Sequence, residues 1–147
     1  SDSIEGEAQQ VGAVFGAMSL WLARKDSDSV LKKPLVLISG GETTVTVKGS
    51  GRGGRNTDFL LSFAHAVDGA EGIYAIAADT DGIDGSEDNA GATYSPKTIQ
   101  KGHDFGMNLV GCLNKNDSYT FFGATGDLLV TGPTRTNVND FRAILII

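Results

Sequence analysis

Two arginines share one glycine-rich run, Gly49-Ser50-Gly51-Arg52-Gly53-Gly54-Arg55-Asn56. Guanidinium groups grip phosphate or carboxylate in a bidentate fork, and glycine lets the backbone approach such a group closely. A helix is expected to follow, and its N-terminal N–H groups would add positive potential. The pattern points to an anion site built from Arg52, Gly53, Gly54, Arg55 and Asn56, with a solvated flexible loop as the alternative. Upstream, Ser39-Gly40-Gly41-Glu42-Thr43 closes an apolar run. Its freed N–H groups would form an anion-binding nest, or the glycines simply make a tight turn between two strands. Downstream, Asp79, Asp81 and Asp84 crowd "DTDGIDG". Hard carboxylate oxygens in such a cluster suit Mg²⁺, unless they only cap turns.

Several sharper motifs fail. Gly49, Gly51 and Gly54 spell G-x-G-x-x-G, but arginines crowd the loop, and the acidic residues downstream, Asp68 and Glu71, fall at only approximate spacing. No lysine followed by serine or threonine closes a P-loop. An EF-hand would need its glycine at the sixth position and a glutamate where Ala90 stands. His65 and His103 have no partner at metal or triad spacing, and Ser39 lacks a nucleophile elbow.

Composition narrows the classes further. A chain of 147 residues fits one domain with a real core. Its net charge of -6 and pI near 4.7 argue against a general nucleic-acid or acidic-membrane surface. Cys112, the single cysteine, excludes an internal disulfide and suits a reducing cytoplasm and a buried, unreactive role. No segment approaches the roughly 18 apolar residues of a membrane span, and no secretory leader opens the chain. The absence of an initiator methionine suggests a piece of a longer polypeptide.

These residues need elements to position them. Asp2 or Ser3 is placed to cap a first helix, with Glu5 and Glu7 in its first turn and an apolar stripe of Val11, Val14, Phe15, Met18 and Leu22. A polar connector, Lys25 to Lys33, leads to Pro34. "LVLIS" reads as a strand buried on both faces, and Thr43 to Lys48 as a second strand. Asn56 or Thr57 would cap a helix carrying Phe59, Leu60, Phe63, Ala64 and Val67, ended by Gly69. "GIYAIAAD" is a strand running into the acidic loop. Short helices are expected over Pro96 to Lys101 and Asp104 to Cys112, and a third behind Asp117 or Ser118. "DLLVTGP" and "RAILII" complete the strands. Interleaved strands and helices imply a three-layer α/β/α domain around a mixed sheet.

Taken in order, "DSIEGEA", "LISGGETTVTVKGSGRGGRNTDFLL", "AADTDGIDG", "NDSYTFF" and "GDLLVTGPTRTNVND" resemble the C-terminal part of the glycerate 2-kinase family, which contains the MOFRL domain. Many bacterial members of that family carry the name hydroxypyruvate reductase. The resemblance covers nearly the whole chain. It divides the chain into a helix and connector over 1–34 and a MOFRL-like α/β domain over 35–147, with an N-terminal Rossmann-like domain of the same polypeptide as partner. It implies ATP-dependent phosphorylation of the 2-hydroxyl of D-glycerate, with ATP and Mg²⁺ as cofactors and a cytoplasmic enzyme that is free to form homo-oligomers. The isolated piece is expected to be inactive. Arg55 is implied as the transition-state residue, with Gly40, Gly41, Glu42 and Thr43 lining the substrate pocket and Asp79 and Asp81 placing Mg²⁺ or nucleotide. Asn137 and Asp140 would close the cleft, or serve only as turn formers. An NAD(P)H-dependent hydroxypyruvate reductase and a non-catalytic anion-binding module are the alternatives.

Overall fold

A computed structural model describes residues 1–24 and 31–147; residues 25–30 of the expected connector lie outside them. The elements are β1 (Ile4–Glu7), α1 (Ala8–Ala23), β2 (Leu35–Thr44), α2 (Arg55–Val67), β3 (Ile73–Asp79), β4 (Gly91–Tyr94), α3 (Thr98–Asp104), α4 (Leu109–Lys115), α5 (Ser118–Thr125), β5 (Leu128–Leu129) and β6 (Asp140–Ile146). They form one mixed sheet in the order β1-β2-β6-β3-β4-β5, parallel only between β1 and β2. The last strand therefore lies inside the sheet, where β2 and β3 satisfy both its edges.

Period-two alternation assigns the two faces. Ile73, Ala75, Ala77, Ile144 and Ile146 point into a core shared with Phe59, Leu60 and Phe63 of α2 and with Phe121 and Phe122 of α5. Their neighbours Val36, Ile38, Tyr74, Phe141 and Leu145 stand exposed on the opposite face. The α/β class and the mixed sheet are as expected. Of the two helical layers expected, the described residues supply one.

The central helix, α2, is buried over almost its whole length, because α1, the sheet and the short helices α3, α4 and α5 all pack against it. The expected inward stripe of α1 is corrected by that contact. Ala8, Gly12, Gly16, Ser19 and Leu22 face α2, whereas Val14 and Met18 are exposed and Val11 and Phe15 only partly buried. A Cβ on Gly12 would lie 2.2 Å from the Phe59 carbonyl oxygen, and one on Gly16 2.5 Å from Ala66 Cβ. Small residues win this face because the helices approach too closely for a methyl group.

Three boundaries and one burial pattern also change. Asp2 and Ser3 do not cap α1, since β1 intervenes; Glu7 stands at the N-cap and its carboxylate instead accepts from Thr46. The strand expected to stop at Ser39 continues to Thr44, and 45–48 form none, because β1 and β6 supply partners on both sides of the glycines. "LVLIS" alternates in burial rather than being covered on both faces. The helix α4 starts after Asn108, whose side-chain oxygen accepts from Gly111 N at 2.8 Å.

Candidate functional site

The end of β2, the start of α2, the end of β3 and the start of β6 meet around one cleft of about 850 Å³. Their register brings them there: Gly41 pairs with Asp140, and Asp140 with Asp79. Arg55, the first residue of α2, spans the cleft floor. Its Nε donates to Asp140 Oδ1 at 2.8 Å, Nη1 to Glu42 Oε1 at 2.7 Å and Nη2 to Asp79 Oδ2 at 2.6 Å. Burial works against this cation, but the charges of Asp140 and Asp79 and the bond to Glu42 leave its pKa above the ordinary arginine value.

Asp140 is the hub beneath. Besides Arg55, Oδ1 accepts from Asn56 Nδ2 at 2.8 Å, and Oδ2 accepts from Thr43 N at 3.1 Å, Thr43 Oγ1 at 3.3 Å and Arg142 Nη2. Arg142 is fully buried, 4.9 Å over the Phe59 ring, its Nε and Nη1 without a hydrogen-bond partner among the described residues, and burial lowers its pKa. Asp79 Oδ1 accepts from Asp81 N at 3.1 Å. Burial, aided by the charge of Asp81, pushes the Asp79 pKa up even though Arg55 and the Asp81 N–H pull it down.

The glycine-rich loop is tightly packed by its own protein. Gly51 N donates to the Lys115 carbonyl at 2.9 Å, and Arg52 N to Asp117 Oδ1 at 2.9 Å. A Cβ on Gly49 or Gly51 would meet atoms of Lys115 or Asp117 at 2.5–2.6 Å, one on Gly53 the Ser118 Oγ at 2.3 Å, and one on Gly54 Asp84 Cγ at 2.4 Å. The glycines let the chain pass between the α4–α5 turn and the cleft. Asp84 is no cleft ligand: it is fully buried and caps α2 from outside, accepting from Asn56 N at 2.9 Å, Thr57 N at 2.8 Å and Thr57 Oγ1 at 2.9 Å. Its burial raises its pKa, while those donors, together with Asn56 Nδ2, act the other way. The helix end expected to receive a ligand anion already holds a carboxylate.

Of the residues singled out in the sequence, Glu42, Thr43, Gly53, Gly54, Arg55, Asp79, Asp81 and Asn137 line the cleft. Asn56 and Asp140 lie buried under it. Asn137 also makes a turn, its Oδ1 accepting from Asn139 N at 2.9 Å. Three residues stand apart. Gly40 spends its N–H on the Ser1 carbonyl, and Gly41, with φ of 121°, makes room for β1, since a Cβ there would lie 2.2 Å from the Ile4 carbonyl oxygen. No nest forms at this pair because the strand ladder continues through it. Arg52 turns away to pair with Glu87 and lies 4.4 Å over the Tyr119 ring. Glu5, Asp58 and Asn116 also reach the cleft and were not anticipated. Asp58 carries the loop-side network, accepting from Ser118 Oγ at 2.6 Å and Asn116 Nδ2 at 2.8 Å.

Asp79 and Asp81 both line the cleft and could offer carboxylate oxygens to a divalent cation. Asp79 has one oxygen on Arg55 and the other on the Asp81 N–H. Among the described residues, no group of three or more histidine, cysteine, aspartate or glutamate side chains is gathered to hold a metal by itself. That donor set fits Mg²⁺ arriving with phosphate oxygens, which needs only one or two protein carboxylates.

The MOFRL family matches residues 35–140. A protein of Agrobacterium vitis named "Putative hydroxypyruvate reductase" is 52% identical over 147 residues, covering 99% of this chain and 33% of its own length. The "D-glycerate 2-kinase" of Thermotoga maritima is 43% identical over 145 residues, covering 99% of this chain and 34% of that protein. A crystal structure of the glycerate kinase from Thermotoga maritima superposes with a TM-score of 0.93 at 42% identity, over 99% of this chain and 35% of that one. The chain thus spans about a third of the length of the relatives it matches. No described helix is long and apolar enough to cross a membrane.

Proposed function

Because the chain belongs to the MOFRL family, we propose that it acts as the C-terminal domain of a glycerate 2-kinase, transferring the γ-phosphoryl group of ATP to the 2-hydroxyl of D-glycerate. One observation carries the reading: Arg55 is fixed on the cleft floor, its side chain still 24% exposed, with Asp79 and Asp81 beside it. Phosphoryl transfer asks a protein mainly for positioning and charge compensation. Arg55 supplies a permanent cation whose plane Asp140 and Asp79 hold rigid, so no reorganisation is needed as charge develops. Asp79 and Asp81 would hold Mg²⁺, which when bound neutralises phosphate charge. The remaining donors, and the second wall of the cleft, would come from an N-terminal domain of the same polypeptide.

The hydroxypyruvate reductase names among the relatives give a second reading. The loop geometry works against it, because the Asp84 carboxylate occupies the helix end where a dinucleotide's pyrophosphate would sit. The test uses the full polypeptide carrying these residues, with D-glycerate, ATP and Mg²⁺, following ADP and 2-phosphoglycerate. ADP formation that drops about 100-fold or more in Arg55→Ala supports the kinase. NADH oxidation with hydroxypyruvate, and no ADP, supports the reductase instead.

A further inference from the structure

Arg55 is surrounded by three carboxylates, and they are not equivalent. Asp140 is wholly buried and is held by Asn56, Thr43 and Arg142 besides Arg55. Asp79, 7% exposed, is held by the Asp81 N–H as well. The Glu42 side chain is 55% exposed, and among the described residues its carboxylate has Arg55 as its one hydrogen-bond partner. Leaving costs Glu42 only a solvent-exposed ion pair, and water solvates the freed carboxylate at once. Leaving would cost the other two a buried charge without its partner.

Charge balance sharpens the contrast. One arginine already faces three anions, with Asp81 and Glu5 on the same cleft. A ligand anion added to this set would place a fourth negative charge on one cation, whereas an exchange leaves the local charge unchanged. The Arg55 Nη1 position also has the geometry an oxyanion needs, since a carboxylate oxygen already sits there at 2.7 Å.

We propose that Glu42 is a displaceable stand-in for the ligand: a carboxylate or phosphate group of the substrate takes its place on Arg55 Nη1, and Glu42 swings out to solvent. This rests on the kinase reading only for the identity of the ligand, D-glycerate. The exchange itself rests on the geometry above.

Calorimetric titration of the full polypeptide carrying these residues with D-glycerate, and separately with inorganic phosphate, tests it in Glu42→Gln and in Glu5→Gln, which removes the same charge from the same cleft without touching Arg55. Relieved of its competitor, Glu42→Gln is expected to bind both anions about fivefold more tightly than the wild type, equivalent to roughly 1 kcal/mol. Glu5→Gln should change affinity less than about twofold, the size of a screened surface effect. Equal tightening in both variants, or weaker binding in Glu42→Gln, overturns the exchange. So does an absence of binding by either anion to any variant. Tighter phosphate binding without any D-glycerate binding upholds the exchange and removes the proposed substrate.

Discussion

Replacing Asp140 by asparagine should be the most costly single change at the site, and the reason is its position between two arginines. Its Oδ1 serves Arg55 and Asn56, and its Oδ2 serves Thr43 and Arg142, all of them donors. An amide accepts on one side only. Whichever way the new side chain sits, its NH₂ confronts donors, and Arg142, fully buried with two nitrogens already lacking a hydrogen-bond partner among the described residues, loses its counter-charge. Removing one member of a buried ion pair costs about 3–5 kcal/mol. For a chain of this length that corresponds to a fall in melting temperature of roughly 10 °C or more. Arg142→Met should cost far less, about 1 kcal/mol, because Asp140 keeps Arg55, Asn56 and Thr43 while an apolar side chain of similar length stays over Phe59. In the double variant the orphaned cation is gone, so urea denaturation of all four proteins should give a coupling of about 2 kcal/mol or more. A coupling within about 0.5 kcal/mol of zero, or an Asp140→Asn cost under about 1 kcal/mol, would refute the hub.

Two further outcomes are expected. Gly12→Ala and Gly123→Ala make the same change in helix interiors and should move stability in opposite directions: the first meets the Phe59 backbone at 2.2 Å and should lose about 1–3 kcal/mol, the second meets only Leu128 Cδ1 at 3.6 Å and should gain about 0.5–1 kcal/mol. A gain in Gly12→Ala in thermal melts would show that α1 and α2 are not so closely packed. Asp79→Asn should change the pH profile of stability. A carboxyl whose folded pKa is raised contributes stability below about pH 3.9, and this is lost as pH rises through the raised value. Urea midpoints should therefore show the wild type losing ground to Asp79→Asn as pH increases from about 4; a flat or rising difference contradicts the burial argument.

Much of the fold was legible because its signals are local. The helix α2, its end at Val67 before Gly69, the strand at 73–79 and a strand over "RAILII" all follow from local residue pattern, although that last strand begins at Asp140, which the sequence had placed in the preceding turn. What escaped depends on partners distant in sequence. The four residues Ile4–Glu7 form a strand only because Gly41 opens space beside β2. In α1 the apolar stripe was the more obvious signal, yet Ala8, Gly12, Gly16 and Ser19 form a second stripe at the same period, and close approach to α2 selected it. A lone arginine at an inward position of "FRAILII" was likewise a visible sign of a buried partner, and it pointed to Asp140 two residues before it.

The site was legible in its members and not in its charge. Reading cations in a glycine loop suggested a positive pocket, but its main positive features are met by the chain's own acids: the end of α2 by Asp84, Arg52 by Glu87, and Arg55 by Glu42, Asp79 and Asp140. Arg55 is held in place by three carboxylates, and the same carboxylates repel the anions the arginine would bind. Two routes remove the conflict. A ligand could bring a divalent cation with it, to which the cleft-lining Asp79 and Asp81 would offer carboxylate oxygens, or it could exchange with Glu42, the solvent-exposed one of the three carboxylates on Arg55. The first route suits a nucleotide polyphosphate and the second a small acid, which is how the proposed kinase function would divide its two substrates between Nη2 and Nη1 of Arg55.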